Sequence, residues 1–213
     1  VTCVTEARNG AQGPLNHGRC LVRGGPVTEA EFLWITCRNE RNTVILGRLP
    51  DLGLDDAWLV SGSLFQTVWN VLTNRPLTHG IKDYDIFYFD PDTSWEAEDA
   101  VIKRGAALYA DLGVDIEFKN QARVHLWYEE KHNISYPPLK TSCEGIDRFL
   151  AIGNMVAIQP LVDGDRRFSV PGLTDMAALH MRPNRAGNFV KERYDEKCGR
   201  WKQFWPELTI EAA

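Results

Sequence analysis

Apolar and polar positions along the chain follow two periods, one typical of helices and one typical of strands. The apolar residues within 64–72 recur at helical spacing and fall on one face of a helix. The stretch 84–89 is instead aromatic or β-branched almost throughout, which favours a strand. The same criteria predict helices that begin at Thr28 and over 43–49, 64–72, 95–112, 146–150, 174–181 and 189–204, and strands over 57–60, 84–89, 114–118, 123–128 and 155–159. We therefore expect one α+β unit with a helical C-terminal part.

The first part of the chain carries no such period. Residues 1–26 are rich in Gly, Asn, Pro and Arg, which predicts a disordered tail to which we assign no function. The chain begins with Val rather than Met, and Val27 offers a second start, so a mis-assigned start codon is one explanation for this tail. The predicted domain covers 27–213.

The overall composition is that of a globular protein with a sizeable core, since 44% of its 213 residues are hydrophobic and 25% are charged. The formal net charge of −5 argues against binding of long nucleic acid, although it leaves a local basic cleft open. The five cysteines include no CxxC pair, so neither a zinc site nor a disulfide framework is indicated. No apolar run is long enough to span a bilayer and no signal peptide is evident, so we expect a cytoplasmic protein without a membrane partner.

A pair of acidic residues opens the strand predicted over 84–89. Asp83 and Asp85 are two residues apart, so both carboxylates leave the same face of a strand. Two like charges on an otherwise apolar strand repel each other and are costly to bury, and a divalent cation removes that cost. Because Mg²⁺ prefers one or two carboxylates together with substrate phosphates, the pair is first interpreted as a metal platform. Surface acids on a solvated strand edge are the alternative.

Two further features accompany this pair. Gly62 and Ser63 lie between a predicted strand and a predicted helix, where free N–H groups and the helix dipole favour a phosphate. Ser is also a common helix cap, so this signal is weak alone. Glu117 lies between two hydrophobic residues on the next predicted strand, which can carry its carboxylate beside the two aspartates.

The order of these features resembles the DNA polymerase β-like nucleotidyltransferase superfamily. Among its members the chain looks closest to a bacterial family of small nucleotidyltransferase-like proteins. The resemblance runs from about Thr28 to Pro206, and the stretches that carry it are 64–70, 82–85, 94–99, 119–127, 136–139 and 182–184. It implies the polymerase β-like fold, in which a small mixed sheet is flanked by helices. Nineteen residues separate Ser63 from Asp83, which is longer than the usual superfamily spacing, and 73–80 is expected to form a loop.

The resemblance also implies a reaction and a site. Asp83, Asp85 and Glu117 would hold Mg²⁺ or Mn²⁺, while Gly62 and Ser63 would hold the phosphates of a nucleoside triphosphate. A nucleoside monophosphate would move to the hydroxyl of an acceptor, which is a small molecule, a protein or a tRNA end.

Two interpretations stay open beside this one. On a strand over 123–128, Arg123 and His125 share one face, so Arg123 is a candidate phosphate contact, although simple exposure of polar residues gives the same pattern. The alternative function is that of a catalytically degenerate protein of the same fold that binds a nucleotide or an RNA end without turnover.

Overall fold

A six-stranded sheet forms the centre of the molecule. The computed structural model describes residues 5–7, 27–161, 166–186 and 188–213. The strands of this sheet lie in the order β1-β6-β5-β2-β3-β4. Their bounds are Thr5–Ala7 (β1), Trp58–Val60 (β2), Asp83–Tyr88 (β3), Asp115–Asn120 (β4), Ala157–Pro160 (β5) and Arg166–Ser169 (β6), and a separate pair is formed by His180–Met181 (β7) and Thr209–Ile210 (β8). All neighbours in the large sheet are antiparallel except β3 and β4.

Helices pack around this sheet. The parallel pair is joined by one of them, because the chain must cross over before β4 can run beside β3. The helices are Glu29–Thr36 (α1), Glu40–Arg48 (α2), Gly62–Leu72 (α3), Trp95–Leu108 (α4), Val124–His132 (α5), Ser142–Ile146 (α6), Leu173–Ala177 (α7) and Lys191–Phe204 (α8). None of those in the described ranges has the length and apolar character that a bilayer span requires.

The main core lies between α3 and the sheet and extends to α8. Eight successive residues of α3, Ser63–Asn70, are buried, and Trp69 donates a hydrogen bond from Nε1 to the carbonyl of Met176 at 3.0 Å. Trp69 also makes edge-to-face ring contacts with Trp201 and Trp205, which anchors the end of α8 in the core. The helical C-terminal part expected from the sequence is therefore integral to the single core.

A loop separates α3 from β3, as the spacing predicted. Asn70 on α3 closes this loop because its side-chain Nδ2 donates to the carbonyls of Leu77 at 3.0 Å and His79 at 2.9 Å. The Oδ1 of the same amide accepts a hydrogen bond of 2.9 Å from Nε1 of Trp205. The long connection is thus tied both to α3 and to the C-terminal region.

The strand predicted over 123–128 is wrong. A 3₁₀ turn over Gln121–Arg123 leads directly into α5. The side chain of Asn120 explains the turn, since its Oδ1 accepts from the N–H groups of Asp90 and Ala122, both at 3.0 Å, and so ends β4. Val124 and Tyr128 are the buried residues of α5, and their spacing of four is helical rather than alternating.

Two predictions for the N-terminal region, the start of α1 and the tail, can be compared with the structure. Thr28 caps α1 in a complete capping box with Glu31, as the sequence predicted. Three residues of the predicted tail form β1, which pairs with β6 in antiparallel register. The remainder of 1–26 lies outside the described residues.

Candidate active site on the parallel strand pair

Two carboxylates face each other across the parallel strands. The register pairs Asp83 with Asp115 and Asp85 with Glu117. Directly paired residues present their side chains on the same face, so Asp83, Asp85 and Glu117 share one side of the sheet. The side chains of these three residues are 30%, 22% and 46% exposed, respectively. The structure therefore brings together the three acids that the sequence singled out, at a place open to solvent.

Lys119 lies between two of these acids. Its Nζ is 3.1 Å from Oδ1 of Asp85 and 2.7 Å from Oε2 of Glu117. Sequence reasoning did not assign this lysine to the site. The available signal is its position two residues after Glu117 on β4, which places both on the same face.

The charges at this site depend on one another. Burial raises the pKa of the Asp85 carboxyl, and although Lys119 opposes this shift, the neighbouring Asp83 charge adds to it. The hydrogen bond from Lys119 is the main cause that lowers the pKa of Glu117, against burial. Burial opposes ionisation of Lys119, but Asp85 and Glu117 outweigh it and raise the pKa of this ammonium group. Asp85 and Glu117 therefore stabilise a positive charge in the space between them.

The donor atoms in this space suit a hard divalent cation. The Lys119 ammonium marks a point on which two carboxylates already converge, and carboxylate oxygens are the ligands that Mg²⁺ prefers. Within the described ranges, no three His, Cys, Asp or Glu side chains are arranged closely enough to hold a metal as they stand. Asp85 and Glu117 thus fit such an ion if it takes the place of the ammonium, with Asp83 on the same face as a further ligand.

The turn between β2 and α3 buries Ser63 and has its strained backbone position at Ser61. The Ser63 side chain is fully buried, and its hydroxyl has no hydrogen-bond partner within the described part of the chain. The strained position is Ser61, whose φ of +53° lies in the region that disfavours residues with a side chain. Leu64 and Phe65 both donate backbone hydrogen bonds to the carbonyl of Ser61. The first N–H groups of this helix belong to Gly62 and Ser63, and of these two residues only Gly62 is partly exposed, since Ser63 is 0% exposed as a whole.

Arg123 is engaged elsewhere in the molecule. Its Nη1 lies 2.6 Å from Oε2 of Glu98 on α4, and the two side chains are only 12% and 11% exposed. Its guanidinium also lies over the ring of Trp95, at 5.6 Å from the ring centroid. Since Glu98 in turn accepts a hydrogen bond of 3.0 Å from the backbone N–H of Asn120, this group of contacts joins α4 to the end of β4. We therefore leave Arg123 out of the site.

Comparison with known proteins is consistent with this geometry. Residues 47–210 match the model of a family described as nucleotidyltransferases. A solved structure described as an NMR structure that reveals a CCA-adding enzyme head domain aligns with a TM-score of 0.71 at 24% sequence identity. The alignment covers 87% of this chain and 97% of that chain, and it confirms the α+β polymerase β-like fold. No curated protein matches the sequence.

Proposed function

This chain belongs to the nucleotidyltransferase family, and from that premise we propose that it moves a nucleoside monophosphate from a nucleoside triphosphate to an acceptor hydroxyl with the help of a divalent cation. The observation that carries the proposal is the register of β3 and β4, which sets Asp85 opposite Glu117 with a cationic group between them. A nucleotidyltransferase that uses a divalent cation needs carboxylates to hold that cation where the negative charge of the phosphates develops.

The proposed ligands of the cation are Asp83, Asp85 and Glu117. A divalent cation bound here would offset the negative charge of the nucleotide phosphates and of the leaving pyrophosphate. The N–H group of Gly62, a partly exposed residue at the start of the 11-residue helix α3, supports a role in holding those phosphates. Ser63 is 0% exposed as a whole residue, so the part proposed for it requires this turn to open when the nucleotide binds.

The bond changes follow from this arrangement. The acceptor oxygen attacks the α-phosphorus, a new P–O bond forms, and the bond from that phosphorus to the bridging oxygen of the β-phosphate breaks. Pyrophosphate leaves with the bonding electrons. Glu117 is the most exposed of the three acids, and as the alternative to binding the cation it would accept the proton of the attacking hydroxyl. The protein contributes position and charge.

The acceptor is proposed as a small molecule, a protein or a tRNA end. The acidic net charge of −5 disfavours long nucleic acid. The likeness to a structure described as a CCA-adding enzyme head domain keeps an RNA end among the acceptors to be tested.

The first experiment is a calorimetric titration of ATP, CTP, GTP and UTP in the presence of Mg²⁺. We expect metal-dependent binding of at least one nucleotide by the wild-type protein. Asp85→Asn should weaken it by roughly 30-fold or more, because one of the charged partners of the cation is lost.

The matched control is Asp99→Asn on the outer face of α4, where Asp99 contacts Lys103 at 2.6 Å. This variant makes the same chemical change away from β3 and should bind nucleotide as the wild type does. If no nucleotide binds to folded wild-type protein, the proposal fails. Nucleotide binding without transfer to any acceptor would instead assign the degenerate function.

A further inference from the structure

A cavity of about 160 Å³ opens beside the candidate active site. It begins at Phe87 and Lys119, which are register partners on β3 and β4. Phe87 is two residues beyond Asp85 and therefore lies on the same face of the sheet. Other walls come from α5, α8 and the segments that follow α5, follow α6 and precede α8. They include Trp127, Tyr136, Arg148, Asn188, Arg193 and Lys197. We call this cavity the cationic pocket.

The charge of the cationic pocket has one sign. Lys119, Arg148, Arg193 and Lys197 line it, and the described residues of its wall include no carboxylate. Of these four cations, Lys119 is paired with Asp85 and Glu117, which do not line the pocket. Within the described part of the chain no ion pair joins Arg148, Arg193 or Lys197 to an acid, in contrast to Arg48, which pairs with Asp111 at 2.6 Å. Such a concentration of positive charge in a chain of net charge −5 needs a reason.

Aromatic rings fix the positions of two of these cations. The guanidinium of Arg148 lies over the ring of Tyr136 at 5.0 Å from the centroid. Arg193 lies over the ring of Tyr128 at 5.8 Å and donates from Nη1 to the Tyr128 hydroxyl at 3.0 Å. The rings of Tyr128 and Tyr136 are themselves in contact, with centroids 4.4 Å apart. The guanidinium groups are therefore held in place before any ligand arrives.

Lys197 is the fourth cation of the pocket, and its surroundings favour an added anion. Burial, together with the neighbouring charge of Arg193, lowers the pKa of Lys197, although the charge of Asp85 opposes this shift. Its charged form is therefore disfavoured where it lies, and an anion between Lys197 and Arg193 would relieve that cost. Phosphate groups suit this place because their several oxygens can accept hydrogen bonds from guanidinium and ammonium donors at once.

The sheet register separates this pocket from the phosphate position proposed at α3. Val60 pairs with Asp85, so the chain reaches Gly62 beyond β2, on the side of Asp83. Lys119 pairs with Phe87 and lies in the opposite direction along β3. Asp85 therefore lies between the start of α3 and the cationic pocket. With the nucleotide phosphates at α3, the cationic pocket is on the side from which the acceptor hydroxyl must approach.

We propose that the cationic pocket binds a phosphate group of the acceptor, so that the acceptor of the transfer reaction is a phosphorylated compound. The assignment to the acceptor depends on the proposed function, whereas binding of phosphate by the pocket does not. The volume of about 160 Å³ accommodates a phosphate group with part of the molecule that carries it.

The test is a calorimetric titration of inorganic phosphate into the wild-type protein with EDTA present and no nucleotide. We expect saturable binding that the double substitution Arg193→Gln/Lys197→Gln weakens by at least about tenfold, because two charged donors are removed. Lys191→Gln is the control for the single substitution Lys197→Gln, since it removes one positive charge from the same helix at a residue whose side chain is 56% exposed and outside the pocket. Arg148→Gln provides a second pocket variant on another segment if the double variant does not fold.

Three outcomes separate this proposal from the previous one. Phosphate binding that Asp85→Asn leaves intact but the pocket variants remove supports it. No phosphate binding by the wild type, or equal loss in Lys191→Gln, overturns it and leaves nucleotide binding untouched. If the pocket variants instead weaken Mg²⁺-dependent nucleotide binding, the pocket holds the nucleotide and the acceptor assignment is wrong. Glycerol phosphate and a dinucleoside phosphate, titrated in parallel, distinguish a phosphomonoester from a phosphodiester acceptor.

Discussion

Lys119 joins the two strands of the candidate site through its contacts with Asp85 and Glu117. The acids on either side could be predicted from the sequence, because a spacing of two on an apolar strand puts Asp83 and Asp85 on one face and Glu117 lies between two hydrophobic neighbours on the next strand. Lys119 could not be assigned from the same pattern. An alternation of charged residues is equally typical of a solvent-facing strand edge, and only the side-chain contact across the parallel strands shows that its ammonium faces Asp85.

Replacement of this lysine tests whether the acids require a cation. Lys119→Met leaves Asp85 and Glu117 facing each other with no positive charge between them. We expect a loss of about 1–2 kcal/mol in the free energy of unfolding, less than for a fully buried pair, because the Lys119 side chain is 38% exposed and solvent screens the repulsion. Millimolar Mg²⁺ should restore more stability to this variant than it adds to the wild type.

Urea denaturation with and without Mg²⁺ measures both effects. Lys103→Met on α4, which removes an exposed contact with Asp99, is the control and should respond to Mg²⁺ as the wild type does. An identical Mg²⁺ response in Lys119→Met and Lys103→Met would show that the carboxylates do not hold the ion.

The sequence predicted strands at β2, β3, β4 and β5 of the sheet but none at β1 or β6, and it predicted one strand, over 123–128, that does not form. The pattern of Val124 and Tyr128 was interpreted as part of a strand, although the chain forms α5. The decisive contact is made by Asn120, whose side chain ends β4 by hydrogen bonds to a loop 30 positions earlier in the chain. A side chain that competes with the sheet in this way leaves no period in the sequence.

The same element change moves Arg123 from the candidate site into an ion pair with Glu98. Arg123→Gln should therefore lower stability by about 3 kcal/mol, because it leaves a buried carboxylate without its partner. Its Mg²⁺-dependent nucleotide affinity should equal that of the wild type. Chemical denaturation and nucleotide titration measure the two effects separately.

The control for that variant is Arg48→Gln, which breaks the exposed pair with Asp111 and should lower stability much less than Arg123→Gln does. A folded Arg123→Gln protein with strongly weakened nucleotide binding would return Arg123 to the phosphate site, as the strand interpretation had it.

At the scale of the whole molecule, the long connection between α3 and β3 is closed by the opposite end of the chain. Arg75 in this loop pairs with Glu207 at 2.9 Å. Gly80, at a φ of +71°, lies against the Trp205 ring, and a Cβ built there would come within 2.5 Å of it. The sequence predicted a loop from its length. Its partners could not be predicted, because they are more than 120 residues away along the chain.

Asn70 is the residue on which this closure depends. Asn70→Ala removes two donated hydrogen bonds and one accepted bond at a fully buried position, and we expect a loss of about 2–4 kcal/mol in the free energy of unfolding. Thermal and urea unfolding measure this loss. Asn74→Ala, at the exposed start of the loop, is unsuitable as a control because its φ is +56°, so the matched comparison is Thr78→Ala, which should be near neutral. Equal stabilities of the two variants would show that the loop is not held by Asn70.

The position of α8 has a consequence for how ligands can be found. Tyr194 and Cys198 on this helix are buried in the core, while their neighbours Arg193 and Lys197 line the cationic pocket. Any compound that binds these two cations only in the folded protein shifts the melting temperature, and a concentration one hundred times its Kd stabilises the fold by about 2.7 kcal/mol. A library of phosphorylated metabolites can therefore be ranked by melting curves alone, with no knowledge of the reaction.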